Sequence, residues 1–175
     1  MLNDFITKLA IELQQQGYMI GDPASVPGVQ ALLYAYDPER QQMAFAKVEE
    51  HFLFVDWEKA AFSRLDRLIN IADQFSELVN QHFPMPHVLR MQIPNLVVAA
   101  VSADAFPPEV ARFTRVKNLT PWYGGETRQL MLVSVGKRQV ISQVTSGPRL
   151  APIPGAIPLG HAVSIIRAAC LVGFG

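Results

Sequence analysis

Residues 96–101 read Leu-Val-Val-Ala-Ala-Val, an apolar run with no polar residue in it. A strand with one face in water alternates apolar and polar side chains, so a continuous run predicts a strand that is covered on both faces. We therefore place this strand at the centre of a sheet, with helices packed on both sides of it. Residues 88–93 are a second apolar run, separated from the first by Pro94, and are predicted as another strand.

The segment before these runs contains the clearest helix, from about Ala60 to Phe83, where Pro84 ends it. Apolar residues recur in it at intervals of three and four and predict one buried seam, whereas polar residues such as Asp73 fall outside the seam. A first helix is predicted from about Asp4 to Gln16, with Asn3 as its N-cap and Gly17 as its stop. The seam of the long helix consists of Ala61, Leu65, Leu68, Ala72, Phe75 and Val79.

Three strands are predicted between the two helices, because aromatic and β-branched residues are concentrated there. Residues 21–28 hold two prolines and are predicted as a loop that precedes these strands. The sequence Asp37-Pro38-Glu39-Arg40 is typical of a turn, since proline presets the backbone at the second turn position. Glu49-Glu50-His51 is predicted as a second, tight connection. The strands are predicted at Gln30–Tyr36, Met43–Val48 and Phe52–Trp57.

The carboxyl-terminal part predicts shorter elements. Pro107-Pro108 opens a short helix through about Val116, because proline is tolerated in a first helical turn. A hairpin turns at Gly136-Lys137, and residues 147–158 form a proline-rich connector to a final helix. That helix has an apolar stripe suited to packing on the core or on a second subunit. The hairpin strands are predicted at Leu130–Val135 and Gln139–Val144, and the final helix at Leu159–Val172.

These elements predict an α/β (mixed α+β) fold for the whole chain. Its 175 residues suffice for one domain with a sizeable core, so we expect a single domain over residues 1–175. The expected architecture has three layers, a mixed sheet of five or six strands with helices on both faces. Its amino-terminal part follows the order helix, three strands, helix, strand, which is an αβββαβ core.

Charge is segregated along the chain. Residues 1–104 hold seven Lys/Arg and thirteen Asp/Glu (7 − 13 = −6), and residues 105–175 hold eight Lys/Arg and two Asp/Glu (8 − 2 = +6). Opposite charges can hold the two parts together within or between subunits, or the basic part can bind an anionic partner.

Within the basic part, cations are interleaved with aromatic residues, a combination that binds phosphates and stacks bases. Nucleic acid is one partner that this pattern allows, although the isoelectric point of about 6.9 is below the usual range of nucleic-acid-binding domains. The alternative is a solvated helix face beside a buried tryptophan. The predicted anion-binding residues are Arg112, Arg115, Lys117, Trp122, Tyr123 and Arg128.

Acids and a lysine come together in Asp56-Trp57-Glu58-Lys59, at the end of the third predicted strand. With the order of elements over about Asn3 to Val101, this sequence resembles the core of the PD-(D/E)xK nuclease superfamily. The resemblance implies that carboxylates on adjacent strands hold a divalent metal while a lysine steadies the attacking hydroxide. Here Glu58 and Lys59 are adjacent, whereas the family motif separates them by one residue. The candidate catalytic residues are Asp37, Glu49, Asp56, Glu58 and Lys59.

A structural role competes with this interpretation, because Asp56 can cap the following helix and Glu58 can support its first turn. We expect no metal site and no cofactor: His82 and His87 flank a proline turn that contains no Cys or acid to complete a site. The single cysteine, Cys170, is predicted as a small buried hydrophobe.

The sequence contains no signal peptide, so we expect a cytoplasmic protein. The most apolar stretch, residues 156–174, includes Pro158 and Arg167 and is predicted not to span a membrane. Two functions remain open. The first is a binding or assembly module that associates with itself to form a homo-oligomer. The second is a metal-dependent hydrolase of the PD-(D/E)xK type with a displaced motif, which leaves open whether the protein is an enzyme.

Overall fold

A computed structural model describes residues 1–26, 29–42, 47–59, 66–81, 92–111, 116–118, 126–142 and 161–172. The four helices in this part of the chain are α1 (Leu2–Gln15), α2 (Asp66–Gln81), α3 (Pro108–Ala111) and α4 (His161–Val172). A 3-10 turn covers Pro23–Ser25. The strands are β1 (Met19–Gly21), β2 (Ala31–Gln42), β3 (Lys47–Asp56), β4 (Gln92–Ser102), β5 (Val116–Asn118), β6 (Thr127–Ser134) and β7 (Gln139–Ser142).

All seven described strands belong to one mixed sheet, in the order β1-β2-β3-β4-β6-β5. The central strands β3, β4 and β6 are parallel, and the other neighbours pair in antiparallel fashion. The outer edge of β6 is shared, because β5 pairs with its first three residues and β7 with its last four. The predicted mixed α/β class is confirmed. The strand number exceeds the expected five or six because β1 and β5, each of three residues, belong to the sheet.

Helices cover both faces of the sheet, as predicted. Side chains of β4 alternate between two apolar cores: Val97, Ala99 and Val101 belong to the core beneath α1 and α4, and Leu96, Val98 and Ala100 belong to the core beneath α2. We call these two sides the α1/α4 face and the α2 face. The continuous apolar run at residues 96–101 is therefore the central strand with both faces buried.

The first helix buries Phe5, Leu9 and Leu13 and ends at Gln15, and Gly17, two residues later, has a φ of +91°, a left-handed conformation suited to glycine. Its predicted N-cap is wrong. The helix begins at Leu2, and the terminal ammonium of Met1 lies 2.7 Å from the Asp4 carboxylate. This charge pair at the helix start leaves Asn3 inside the first turn, where its carbonyl accepts a hydrogen bond from Thr7.

The long helix carries the predicted seam in its described part. Leu68, Ala72, Phe75 and Val79 of α2 are buried. Residues 60–65 and 82–83 of the predicted helix lie outside the described residues, as does most of the strand predicted at 88–93. Proline does not divide the two apolar runs, because β4 is continuous from Gln92. Pro94 pairs only with β3, since pairing with β6 begins at Asn95, so its missing N–H removes no bond on that side.

The predicted turn at residues 37–40 is wrong. Strand β2 continues through it to Gln42, and the register with β3 shifts between Asp37 and Gln41, an irregularity that accommodates proline. The tight connection predicted at Glu49-Glu50-His51 is also wrong, because these residues lie inside β3 and pair with both β2 and β4. The predicted loop at residues 21–28 begins with the last residue of β1. The order αβββαβ holds, but with β1, β2 and β3 as its three strands.

The carboxyl-terminal hairpin is confirmed: β6 and β7 meet at a turn over residues 135–138, where Arg138 has a φ of +51°. The described part of the short helix predicted through Val116 is Pro108–Ala111; residues 112–115 lie outside the described residues, and Val116 begins β5. The final helix is confirmed as α4, and its connector at residues 147–158 lies outside the described residues. Of the helices that the structure describes, none has the length and apolar character needed to cross a membrane.

Candidate functional site

Polar side chains gather at the amino ends of the parallel strands. Strand β3 carries Glu49, Glu50 and His51 there, and Glu50 is in register with Asn95 of β4, which in turn pairs with Thr127 of β6. Successive residues of a strand point to opposite faces of the sheet. Glu49 and His51 therefore lie on the α2 face, and Glu50 lies on the α1/α4 face. All three side chains of β3 are buried.

On the α1/α4 face, the fully buried carboxylate of Glu50 is held by two donors. The Tyr18 hydroxyl donates to one of its oxygens, and the Asn95 amide nitrogen donates to the other at 2.8 Å. Asp37 of β2 lies opposite Glu50 in the antiparallel register. The Asn95 Oδ1 atom is buried and has no hydrogen-bond partner in the described part of the chain. These four residues form what we call the Glu50 cluster.

On the α2 face, His51 joins a tyrosine to a glutamate. The Tyr34 hydroxyl lies 3.0 Å from His51 Nδ1, and His51 Nε2 lies 3.4 Å from a Glu49 oxygen. The rings of Tyr34, Tyr36 and His51 are nearly parallel, and Phe75 of α2 packs edge-on against Tyr34 and His51. We call Tyr34, His51 and Glu49 the His51 cluster.

Two features define the position and chemistry of Tyr34. Its ring lies directly over Gly21 of β1, where an added Cβ would be 2.4 Å from Tyr34 Cδ1. Burial raises the pKa of the Tyr34 hydroxyl to about 12, and repulsion from the Tyr36 phenolate, once it forms, and from the Glu49 carboxylate adds to this effect. The hydroxyl therefore stays protonated well above pH 10, and it shares a hydrogen bond with His51 whose direction is set by the histidine tautomer.

A third cluster ties α2 to the start of β6. The Arg128 guanidinium donates to Glu126, to Asp73 and, at 2.8 Å, to the Ser76 hydroxyl. Glu126 is 1% exposed and accepts further bonds from Ser76 at 2.6 Å and Asn80 at 2.8 Å. In this Arg128 cluster a cation from the basic part of the chain meets an acid, Asp73, from the acidic part. One expected role of the charge segregation, holding the two parts together within a subunit, thus occurs at this pair.

The acids predicted as catalytic are distributed over both ends of β3. Asp56 accepts hydrogen bonds from the backbone amides of Glu58 at 3.0 Å and Lys59 at 3.2 Å, and the Lys59 ammonium is 3.7 Å from it. Glu58 accepts a bond from the Ser102 hydroxyl at 2.7 Å. Glu49 lies seven positions from Asp56, roughly 23 Å along an extended strand.

The structure therefore does not bring Asp37, Glu49, Asp56, Glu58 and Lys59 to one point. Asp37 lies opposite Glu50, whereas Glu49 belongs to the other face, and the remaining three occupy the carboxyl end of the strand. In the described ranges, no group of three or more His, Cys, Asp or Glu residues is placed to hold a metal ion.

The residues predicted to bind anions are described only in part. Arg128 belongs to the Arg128 cluster, and Lys117 of β5 pairs with it in register. The other four, Arg112, Arg115, Trp122 and Tyr123, lie outside the described residues, so anion binding stays a prediction. Sequence reasoning missed Glu50 and His51 as site residues because it assigned them to a turn. It had no signal for the pairing of Ser76 with Glu126, which are 50 positions apart.

Comparison with known proteins adds no relative from which a role could be transferred. Searches of protein-family models, of curated proteins and of solved structures each found no match to this chain. The resemblance to the PD-(D/E)xK nucleases therefore has no support from these comparisons. The three polar clusters are the site features on which a functional argument can rest.

Proposed function

We propose that this chain is a non-catalytic binding or assembly module that associates with itself. One observation carries the proposal: the candidate acids are bonded within the fold. Asp56 receives two backbone amides, Glu58 receives the Ser102 hydroxyl, and Glu49 contacts His51. A hydrolytic metal centre needs several carboxylate oxygens directed at one ion. Acids that serve separate turns and strands support structural roles.

Exposed apolar side chains support self-association. Half of the residues are hydrophobic, which is at the upper end of the range for globular domains. Many of these residues fill the two cores, but in the described part of the chain Ile11, Met19, Ile20 and Leu171 are exposed, with Leu171 reaching 66%. Single exposed apolar residues are common on protein surfaces, whereas Met19 and Ile20 are adjacent on a strand at the end of the sheet.

The test is the mass in solution. We expect light scattering at micromolar concentrations to give at least twice the 19.4 kDa of one chain, with the mass falling on dilution. Raising the salt concentration distinguishes the forces involved, because charge-driven association weakens with salt and apolar association does not. A 19.4 kDa particle at every concentration would overturn the proposed self-association.

A metal-dependent hydrolase is the second candidate, and the Glu50 cluster is the observation that favours it. Asp37 and Glu50 face each other across two strands, and the buried Asn95 Oδ1 adds an oxygen without a partner in the described chain. Oxygen ligands of this kind suit Mg²⁺ or Mn²⁺. Calorimetric titration with either ion separates the candidates. For a binding module we expect no saturable heat of metal binding. For a metal centre we expect saturable binding that Glu50→Gln weakens and Glu58→Gln does not.

A further inference from the structure

We propose that two copies of this chain pair through β1, in antiparallel fashion about a two-fold axis, so that their sheets join into one. The inference rests on the proposed self-association and names the surface that performs it. Strand β1 ends the sheet: it pairs with β2 on one side, and within the described ranges no strand pairs with its other side. Backbone N–H and C=O groups on such an edge can hydrogen-bond to an added strand.

Apart from its length of three residues, β1 has none of the features that usually prevent edge pairing. Proteins protect edge strands with charged residues, proline or bulges, but β1 consists of Met19, Ile20 and Gly21 and is paired regularly with β2. Met19 is 44% exposed and Ile20 37%, and their side chains point to opposite faces of the sheet. The nearest acid, Asp22, uses its carboxylate to accept the Ala24 amide at 2.9 Å.

Contacts at both ends of β1 hold the strand in place. Gly17 turns the chain out of α1, and the next residue, Tyr18, is buried with its hydroxyl on Glu50 and its ring edge-on to Phe52 at 5.2 Å. Gly21 lies beneath the Tyr34 ring at the other end of the strand. An edge that is already extended and anchored loses little conformational freedom when a partner strand is added.

A second copy is the occupant that fits these three residues. Two identical antiparallel strands are self-complementary about a two-fold axis, the commonest symmetry of homo-oligomers. An axis at Ile20 pairs all three residues, with Ile20 opposite Ile20 of the second copy and Met19 opposite Gly21 of the second copy. The strand carries no charge, so the symmetric pair meets no like-charge repulsion. Because the edge is only three residues long, pairing buries less surface area than the usual interface of about 1,600 Å². We therefore expect a weak dimer whose population depends on protein concentration.

Cysteine crosslinking tests the register directly. Directly opposite residues have Cβ atoms about 4.5–5.5 Å apart, close to the disulfide range, whereas diagonal neighbours are about 7–8 Å apart. In this register the two copies of Ile20 are directly opposite each other, and the two copies of Met19 are diagonal neighbours. We therefore expect Ile20→Cys to form a covalent dimer with oxidised glutathione, and Met19→Cys to do so about tenfold more slowly. Cys170 gives little background, because it is buried and burial raises its thiol pKa to about 11.

A charge at the edge gives an independent measurement. Ile20→Lys should raise the dimer dissociation constant about tenfold or more, while Gln74→Lys, which adds the same charge at an exposed site on α2, should leave it unchanged. Equal unfolding midpoints would establish that both variants fold. If the wild type associates but Ile20→Cys fails to crosslink and Ile20→Lys associates normally, the β1 interface is wrong and self-association stands. If the wild type is monomeric throughout, the proposed function itself is wrong.

Discussion

The two faces of the sheet are held to their helices by different interactions. Beneath α1 and α4 the contacts are mainly apolar, with Phe5, Leu9 and Leu13 of α1 meeting Phe52 and Phe54 of β3 in one core. Beneath α2 an apolar seam is combined with the Arg128 cluster and with Phe75 against the His51 cluster. Apolar contact is non-directional, whereas ion pairs and hydrogen bonds fix a position. We conclude that α2 is the helix whose placement is specified by polar groups.

Removing the central cation should give the largest effect. Arg128→Met leaves Glu126 buried without its charge partner, and we expect a loss of about 3–5 kcal/mol in unfolding free energy. Arg167→Met on the exposed side of α4 is the matched control, with an expected change of less than about 0.5 kcal/mol. Urea unfolding measures both. Equal effects would mean that the α2 face does not depend on its ion pairs.

Apolar truncation should affect both faces alike. Leu68→Ala on α2 and Leu9→Ala on α1 each remove a fully buried side chain, and we expect each to cost about 2–5 kcal/mol through lost burial and a residual cavity. Thermal and urea unfolding of the two variants test this. A cost at Leu9 several times that at Leu68 would indicate that apolar packing, and not only polar fixation, differs between the faces.

The contact between Gly21 and Tyr34 predicts an intermediate effect. Gly21→Ala places a Cβ within the Tyr34 ring, so the ring must move away from β1, and we expect a loss of about 1–3 kcal/mol from overpacking. Tyr34→Ala combined with Gly21→Ala should remove most of the additional cost, because the clash is then absent. If the cost of Gly21→Ala persists in that background, the ring contact is not its cause.

For Asp73→Ala, the sequence and the structure predict different losses of stability. Its place outside the apolar seam predicts an effect below about 0.5 kcal/mol for Asp73→Ala. Because the side chain is 49% exposed but pairs with Arg128, we now expect up to about 1 kcal/mol, the upper value for a partly screened ion pair. A double-mutant cycle with Arg128→Met measures the coupling between the two residues. If the losses of stability of the two variants are additive, Asp73 does not interact with Arg128.

The Tyr34 hydroxyl predicts a pH dependence that has no effect on stability at neutral pH and acts only at the alkaline end. The pKa of Tyr34 is raised from 10.0 to about 12 by burial, so the unfolded chain loses this proton first. The stability that Tyr34 contributes is therefore complete below pH 10 and is lost as the pH rises from 10 to about 12. Urea unfolding across this window should show a steeper decline for the wild type than for Tyr34→Phe. Parallel declines would mean that Tyr34 titrates normally.

Periodicity predicted the layers of this fold, because it is a local property of the sequence. The seam from Leu68 to Val79 and the run at residues 96–101 identified a buried helix face and a central strand without knowledge of their neighbours. Local turn propensity gave a wrong prediction where the pairing of two strands outweighs it. Asp37-Pro38 is typical of a turn, yet β2 extends through it because β3 pairs with most of its length.

The contacts within the polar clusters could not be predicted from local sequence patterns. Tyr18 and Glu50 are 32 positions apart, and Arg128 and Asp73 are 55 positions apart. Nothing in the intervening sequence indicates that these side chains meet, since their contact depends on strand order. The candidate acids near Asp56 were visible as a motif, but their bonds to the local turn and to Ser102 depend on how β3 and β4 end.

The parallel centre of the sheet also determines how fast the chain can fold. Strands β2 and β3 form a hairpin, as do β6 and β7, so these contacts are close in sequence. Strand β4 reaches its two neighbours only across residues 57–91 and 103–126, so its pairing requires closing two long loops. Folding rates fall as contacts become more distant in sequence. We expect the hairpins to form first and the most apolar strand to join them in the rate-limiting step.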